Sequence, residues 1–212
     1  MSTGLITPPV KKKVKQCVGV FETSSLTPRY GLVALLHDGP NKVQQVTYGA
    51  HQTAETGGLG DLLRMYCYGE PYKFGRYCKQ LRPYIERIRT WKLAGDAEFV
   101  RLLKAAGNTC EVMQQCQEDF FDANYWRPAA QFFTVNGFIL PLSMLVIYDS
   151  FIQSGGILSK LRERFAELVP AKGGDEKKWI AAYLAARDAF LEGSSNAAVR
   201  GSDYRTDCML EQ

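Results

Sequence analysis

YGLVALLHDGPNKVQQVTYG, residues 30–49, interrupts a chain that otherwise reads as helix. Two aliphatic runs, Gly31–Leu36 and Val43–Tyr48, flank the tetrapeptide Asp38-Gly39-Pro40-Asn41. β-Branched and aliphatic runs favour strands, while Gly, Pro and Asn supply the backbone angles of a tight turn, so the stretch predicts a β-hairpin. Before it, residues 1–12 read as a flexible basic arm containing Pro8-Pro9. A short helix over 13–22 then places Val14, Cys17, Val18 and Phe21 on one face and ends at Glu22. After the hairpin the apolar residues recur at helical spacing. They predict helices over about 58–67, 72–89, 96–106, 109–123, 126–135, 139–154, 156–168 and 175–192, with Asp96 and Asp175 as N-caps. One small hairpin among many helices gives an α+β, mainly α, two-lobed architecture. The expected layout is a single domain over 13–212, with a cleft between a small hairpin lobe and a larger helical lobe.

Composition narrows the function. With 212 residues, 46% of them hydrophobic, the chain can bury a sizeable core. Its longest apolar run, Phe138–Ile147, is half the roughly 20 residues a membrane span needs. The polar start followed by Lys11–Lys13 and Lys15 lacks the pattern of a signal peptide, so synthesis in the cytoplasm is expected, with release or export to a cell wall by another route and an unknown delivery partner. None of the six cysteines forms a Cys-x-x-Cys pair; Cys67, Cys110 and Cys208 read as small buried hydrophobes rather than a disulfide framework. Only His37 and His51 are available as imidazole ligands, and neither has a partner at ligand spacing, so no metal or other cofactor is expected. The net charge of +4 comes from scattered arginines and an N-terminal lysine cluster that reads as a solvated tail, which argues against a nucleic-acid partner. A mildly basic surface suits an anionic cell wall.

Two carboxyls stand out. Glu22 follows the apolar Val18-Gly19-Val20-Phe21, and Asp38 closes an apolar run at a turn. A glycoside hydrolase needs one carboxyl kept protonated by an apolar setting and another ionised in a wetter one, which assigns Glu22 as acid and Asp38 as base. Asp-Gly-Pro-Asn is also ordinary turn chemistry, so a purely structural reading stays open. Among the aromatic residues, Phe120, Phe121, Tyr125 and Trp126 occur at helical spacing and read as core. Tyr30 and Tyr48 are the candidates for contact with sugar rings. Asp149 lies inside the most apolar helix, where a carboxylate must be paired unless it faces solvent.

In order, Glu22, Tyr30, Asp38, Tyr48-Gly49 and Asp61 resemble the catalytic segment of the family 46 chitosanases, members of the lysozyme-like superfamily. LPLSMLVIYDSFIQSGG (140–156), AYLAARDAFL (182–191) and SDYRTDCML (202–210) resemble the family's buried helix and its two arginine-bearing segments. The resemblance spans about residues 14–210. It implies catalysis by Glu22 and Asp38, substrate contacts from Tyr30, Tyr48 and Asp61, and a supporting network in which Arg187 and Arg205 pair with Asp149 and one arginine reaches Glu22. Arg200 is the alternative to Arg187. The chain departs from the family in the loop after its base. The family's Asp-Gly-Arg-Gly-Tyr-Thr becomes Asp38-Gly39-Pro40-Asn41-Lys42-Val43, removing the usual Arg and the water-positioning Thr. Thr47 is the nearest replacement, with Gln44 or Gln45 behind it; Glu55 and Asp61 are the fallbacks for the base. The implied activity is inverting endo-hydrolysis of β-1,4 linkages in an amino-sugar polymer. Bacterial peptidoglycan is the favoured substrate, as in an endolysin or antibacterial effector, with chitosan as the alternative. A non-catalytic sugar-binding domain on the same scaffold is the competing class.

Overall fold

The expected hairpin is present.

 β1 (Val33–Leu36) runs antiparallel to β2 (Gln45–Tyr48), pairing Val33 with Tyr48 and Leu36 with Gln45. A third, two-residue strand, β3 (Thr53–Ala54), joins the far side of β2, giving the sheet order β1-β2-β3. β2 is therefore central and buried along its whole length, whereas Leu35 and Leu36 of β1 are exposed. The link between β1 and β2 is closed by the Gly39 N–H donating to the Val43 carbonyl at 3.1 Å. Gly39 is required there, because a Cβ would meet that same carbonyl oxygen at 2.7 Å.

The computed structural model describes residues 6–195 and 200–212. The chain divides into two compact units. One comprises Gly19–Asp122; the other comprises Ala123–Gln212 with the chain up to Val18. The first helix, α1, spans Pro8–Thr23, so the expected basic arm of residues 1–12 is helical from Pro8, and its residues 1–5 lie outside the described residues. The reason is local: first-turn backbone N–H groups have no helical acceptor, so Pro8 and Pro9 give up nothing there.

In the Gly19–Asp122 unit the sheet is accompanied by α2 (Leu59–Tyr68), α3 (Cys78–Ile85), α4 (Ala97–Thr109) and α5 (Glu111–Phe121). Leu59, Leu62, Leu63 and Tyr66 of α2 are fully buried, as are Phe99 and Leu103 of α4. Each such side chain contributes on the order of 1.5–3 kcal/mol of hydrophobic stabilisation. Asp96 caps α4 by accepting the Phe99 N–H at 3.0 Å. That bond, with the Arg87 guanidinium at 2.9 Å, holds its carboxyl below the usual range. The helix expected over 72–89 is shorter: a 3₁₀ turn at Tyr72–Phe74 precedes α3, which ends at Ile85. Burial pushes the Cys67 thiol up to about 12, so it stays a thiol in the core. Cys208, by contrast, is exposed, against the expectation of burial.

The other unit holds α6 (Arg127–Val135), α7 (Pro141–Ser154), α8 (Ser159–Arg162), α9 (Glu176–Glu192) and a C-terminal helix, Tyr204–Leu210. Its core is aromatic. Trp179 stacks on Tyr183 at 5.4 Å and meets the edges of Phe138 and Phe165 at 5.0 and 5.5 Å. Asp175 caps α9 through the Lys178 N–H, at 2.9 Å. The helix expected over 156–168 contracts to Ser159–Arg162, because the Arg162 guanidinium captures the Phe165 and Glu167 carbonyls at 2.7 and 2.8 Å and holds the following chain out of a helix. No helix among the described residues is long and apolar enough to cross a membrane.

Candidate active site

Asp38 lies just past the end of β1, exposed to solvent. One of its oxygens, Oδ1, accepts a hydrogen bond from Gln45 Nε2 at 2.8 Å. Gln45 opens β2 and is 2% exposed; its own Oε1 accepts from the Thr56 N–H at 3.0 Å. An exposed carboxylate with one oxygen fixed by an amide can turn the other toward a water, which is the arrangement general-base catalysis requires. Glu22 occupies the last turn of α1 and is half-buried, in the same unit as Asp38. Thr23, which follows it, returns its hydroxyl to the Gly19 carbonyl at 3.0 Å and so closes the helix end.

Thr47 shares the Gln45 face of β2, since side chains two apart on a strand point the same way. It is only 3% exposed, and its hydroxyl meets Gln52 Oε1 at 2.8 Å and the Ala34 carbonyl at 3.4 Å. The hydroxyl proton is thus engaged inside the sheet and its turn, and the side chain that touches Asp38 is Gln45. Tyr48 is corrected to a core residue: at 0% exposure it offers no face to a sugar, because the central strand is covered on both sides. Tyr30 is half-buried, and its hydroxyl donates to Glu118 Oε1 at 2.9 Å. Burial, then the charge of Glu118, pushes the phenol well above its ordinary range, so it remains a donor. Its backbone carbonyl accepts from Gln117 Nε2 at 3.0 Å, while Gln117 Oε1 accepts the Ala50 N–H at 3.1 Å. Gly49, at φ +84°, makes room for that amide, since a Cβ would lie 2.3 Å from Gln117 Oε1. Asp61 sits exposed in the first turn of α2, 3.3 Å from Arg64.

Glu55, a fallback for the base, is fully buried and spent on structure. Its Oε2 accepts the Val46 N–H at 3.0 Å and its Oε1 the Arg89 N–H at 3.2 Å. Arg89 in turn donates to the Glu55, Thr56 and Gly57 carbonyls at 3.2, 3.3 and 3.3 Å. Nothing local in the sequence marks Arg89, Gln117 and Glu118, whose partners lie 32 or more residues away along the chain.

Asp149 is fully buried in α7. Its Oδ2 accepts from Arg187 Nη2 at 2.6 Å and its Oδ1 from Arg205 Nη1 at 2.9 Å. Arg187 Nη2 also donates to Gln153 Oε1 at 2.8 Å. One carboxylate between two permanent cations satisfies the burial rule for charge. Arg200, the alternative partner, donates instead to the Ser194 carbonyl at 2.6 Å. Among the described residues no group of three or more His, Cys, Asp or Glu side chains could hold a metal ion.

Comparison with known proteins concerns nearly the whole chain. The family model of glycosyl hydrolase family 46 matches residues 16–209. A chitosanase of Bacillus subtilis (strain 168) is 29% identical over 202 residues, covering 90% of this chain and 70% of that protein. A chitosanase of Nocardioides sp. (strain N106) is 27% identical over 201 residues, covering 90% and 69%. Among solved structures, the family 46 chitosanase of Gynuella sunshinyii in complex with chitotetraose superposes with a TM-score of 0.80 at 22% identity, covering 97% of this chain and 88% of that one. At that identity the likeness speaks for the fold, which is lysozyme-like.

Proposed function

We propose that this chain, which belongs to glycosyl hydrolase family 46 and is a glycoside hydrolase, cleaves the β-1,4 linkages of chitosan within the polymer and with inversion. The observation that carries the reading is the pairing of family membership with the setting of two carboxyls: Glu22 half-buried at a helix end, Asp38 exposed at a turn. In this mechanism Glu22 protonates the departing glycosidic oxygen while Asp38 Oδ2 removes a proton from the attacking water. Asp61, exposed on α2, and Tyr30 contact the sugar chain, and the ammonium groups of glucosamine favour a carboxylate such as Asp61. The Asp149–Arg187–Arg205 network holds its own part of the fold together.

Chitosan replaces peptidoglycan as the favoured substrate. The net charge of +4 supported an anionic wall, but it is a small excess of 26 cations over 22 anions. It weighs less than the activity named for the relatives, which are chitosanases. The test is reducing-end release from chitosan and from purified bacterial cell walls, run in parallel with wild type and Glu22→Gln. Wild type is expected to act on chitosan, with turnover lost about 10²–10⁴-fold in Glu22→Gln. Release from walls alone, or full activity in Glu22→Gln, overturns the proposal.

A further inference from the structure

The loop after Asp38 lacks the Arg and Thr that the family resemblance implies, yet Asp38 is not left to its own rotamer. Gln45 reaches across the turn, seven residues on, and donates to Asp38 Oδ1 at 2.8 Å. A surface glutamine has several rotatable bonds, and its hydrogen bonds are weak constraints. Gln45 differs because it is 2% exposed and its amide is held at both ends, by Asp38 at Nε2 and by the Thr56 N–H at Oε1. The Thr56 peptide is fixed in its turn by Arg89, which donates to the Thr56 and Gly57 carbonyls. The residue beside Gln45 is clamped too. The Val46 N–H donates to Glu55 Oε2, and the Glu55 N–H donates to the Val46 carbonyl, both at 3.0 Å.

We infer that Gln45 is the positioning residue for the catalytic base, fixing Asp38 Oδ1 through an amide anchored on the buried Glu55–Arg89 latch so that Oδ2 meets the attacking water. The inference rests on the reading of Asp38 as the base. The amide orientation follows from the partners: the Thr56 N–H can bond only to the Gln45 oxygen, which turns the Gln45 nitrogen toward the carboxylate. An amide N–H suits this role, because it cannot take the proton that Asp38 must take from water. Displacing a reacting group by about 1 Å can cost about 10²-fold in rate, which sets the scale for losing the contact.

The test uses the full chain and a glucosamine oligosaccharide as substrate. Gln45→Glu keeps an acceptor for the Thr56 N–H and removes the donor to Asp38; Gln45→Met removes both. Both variants are expected to lose kcat about 10- to 100-fold with KM within about twofold. Asp38→Asn is assayed alongside. If Asp38→Asn keeps wild-type turnover, the reading of the base falls and takes this inference with it. If Asp38→Asn is inactive while the Gln45 variants keep wild-type kcat, the base stands and the role of Gln45 is overturned. A change confined to KM overturns it as well. Should the Gln45 variants fail to fold, the side-chain amide proton resonances of Gln45 in the Asp38→Asn protein decide. They are expected to move from their wild-type positions, and unmoved resonances contradict the contact.

Discussion

Asp38 and Asp149 are the same side chain in opposite circumstances. Asp38 stands exposed at a turn with one neutral donor on one oxygen. Asp149 is fully buried in a helix with a guanidinium on each oxygen. A fully buried carboxylate with each oxygen held by a permanent cation has nothing to offer a substrate, and its energy goes into holding α7, α9 and the C-terminal helix in register. A carboxylate with a single neutral donor keeps an oxygen for chemistry. Burial alone therefore does not mark a working acid or base; the count and charge of its partners does.

The comparison can be broken first at Asp38. Asp38→Asn keeps the shape of the side chain and removes its basicity, so turnover on chitosan is expected to fall about 10²–10⁴-fold with little change in melting temperature. Steady-state rates and thermal unfolding on one preparation check both halves. Asp149→Asn should show the reverse emphasis. Removing the charge leaves Arg187 and Arg205 buried against a neutral amide, an expected cost on the order of 3–5 kcal/mol, read by urea denaturation. An unfolding midpoint equal to wild type would mean that the two guanidinium bonds contribute nothing net.

Asp96 lies between these extremes and sharpens the comparison by a smaller step. Its carboxyl is held below its ordinary range first by the Phe99 N–H and then by Arg87. The contribution is therefore present above the ordinary carboxylate range and lost as pH falls through the lower folded-state value. Asp96→Ala is expected to cost about 0.5–2 kcal/mol near neutral pH, and the difference from wild type should shrink as the solution is acidified. A difference that stays constant down to pH values at which all carboxyls are protonated would rule out the ionised cap.

How far the sequence carries depends on the range of the interactions. The hairpin was legible because Asp38-Gly39-Pro40-Asn41 is a local turn signal between two aliphatic runs. β3 was not, since Thr53-Ala54 is too short to show a period. The contraction of the 156–168 helix depends on where one guanidinium finds its carbonyls, which apolar spacing does not encode. Glu22, Asp38 and the Asp149 network came from the match to a known pattern, and their residue types alone would have left a structural reading open. Tyr48 shows the limit of that match: pattern position suggested a sugar contact, whereas strand order made the residue core. The Gln45–Asp38 bond needed the register of β1 on β2, which sets Leu36 opposite Gln45 and brings the amide to the turn.

The stereochemistry of the first product tests the central claim most directly. If Asp38 activates a water held opposite Glu22, each cleavage of a β-1,4 bond releases a new reducing end as the α-anomer. Proton NMR during the first minutes of hydrolysis of a glucosamine oligosaccharide is expected to show α-anomeric signals appearing ahead of mutarotation. Initial accumulation of the β-anomer would contradict the account, because it would require a carboxylate attacking the sugar directly rather than through water.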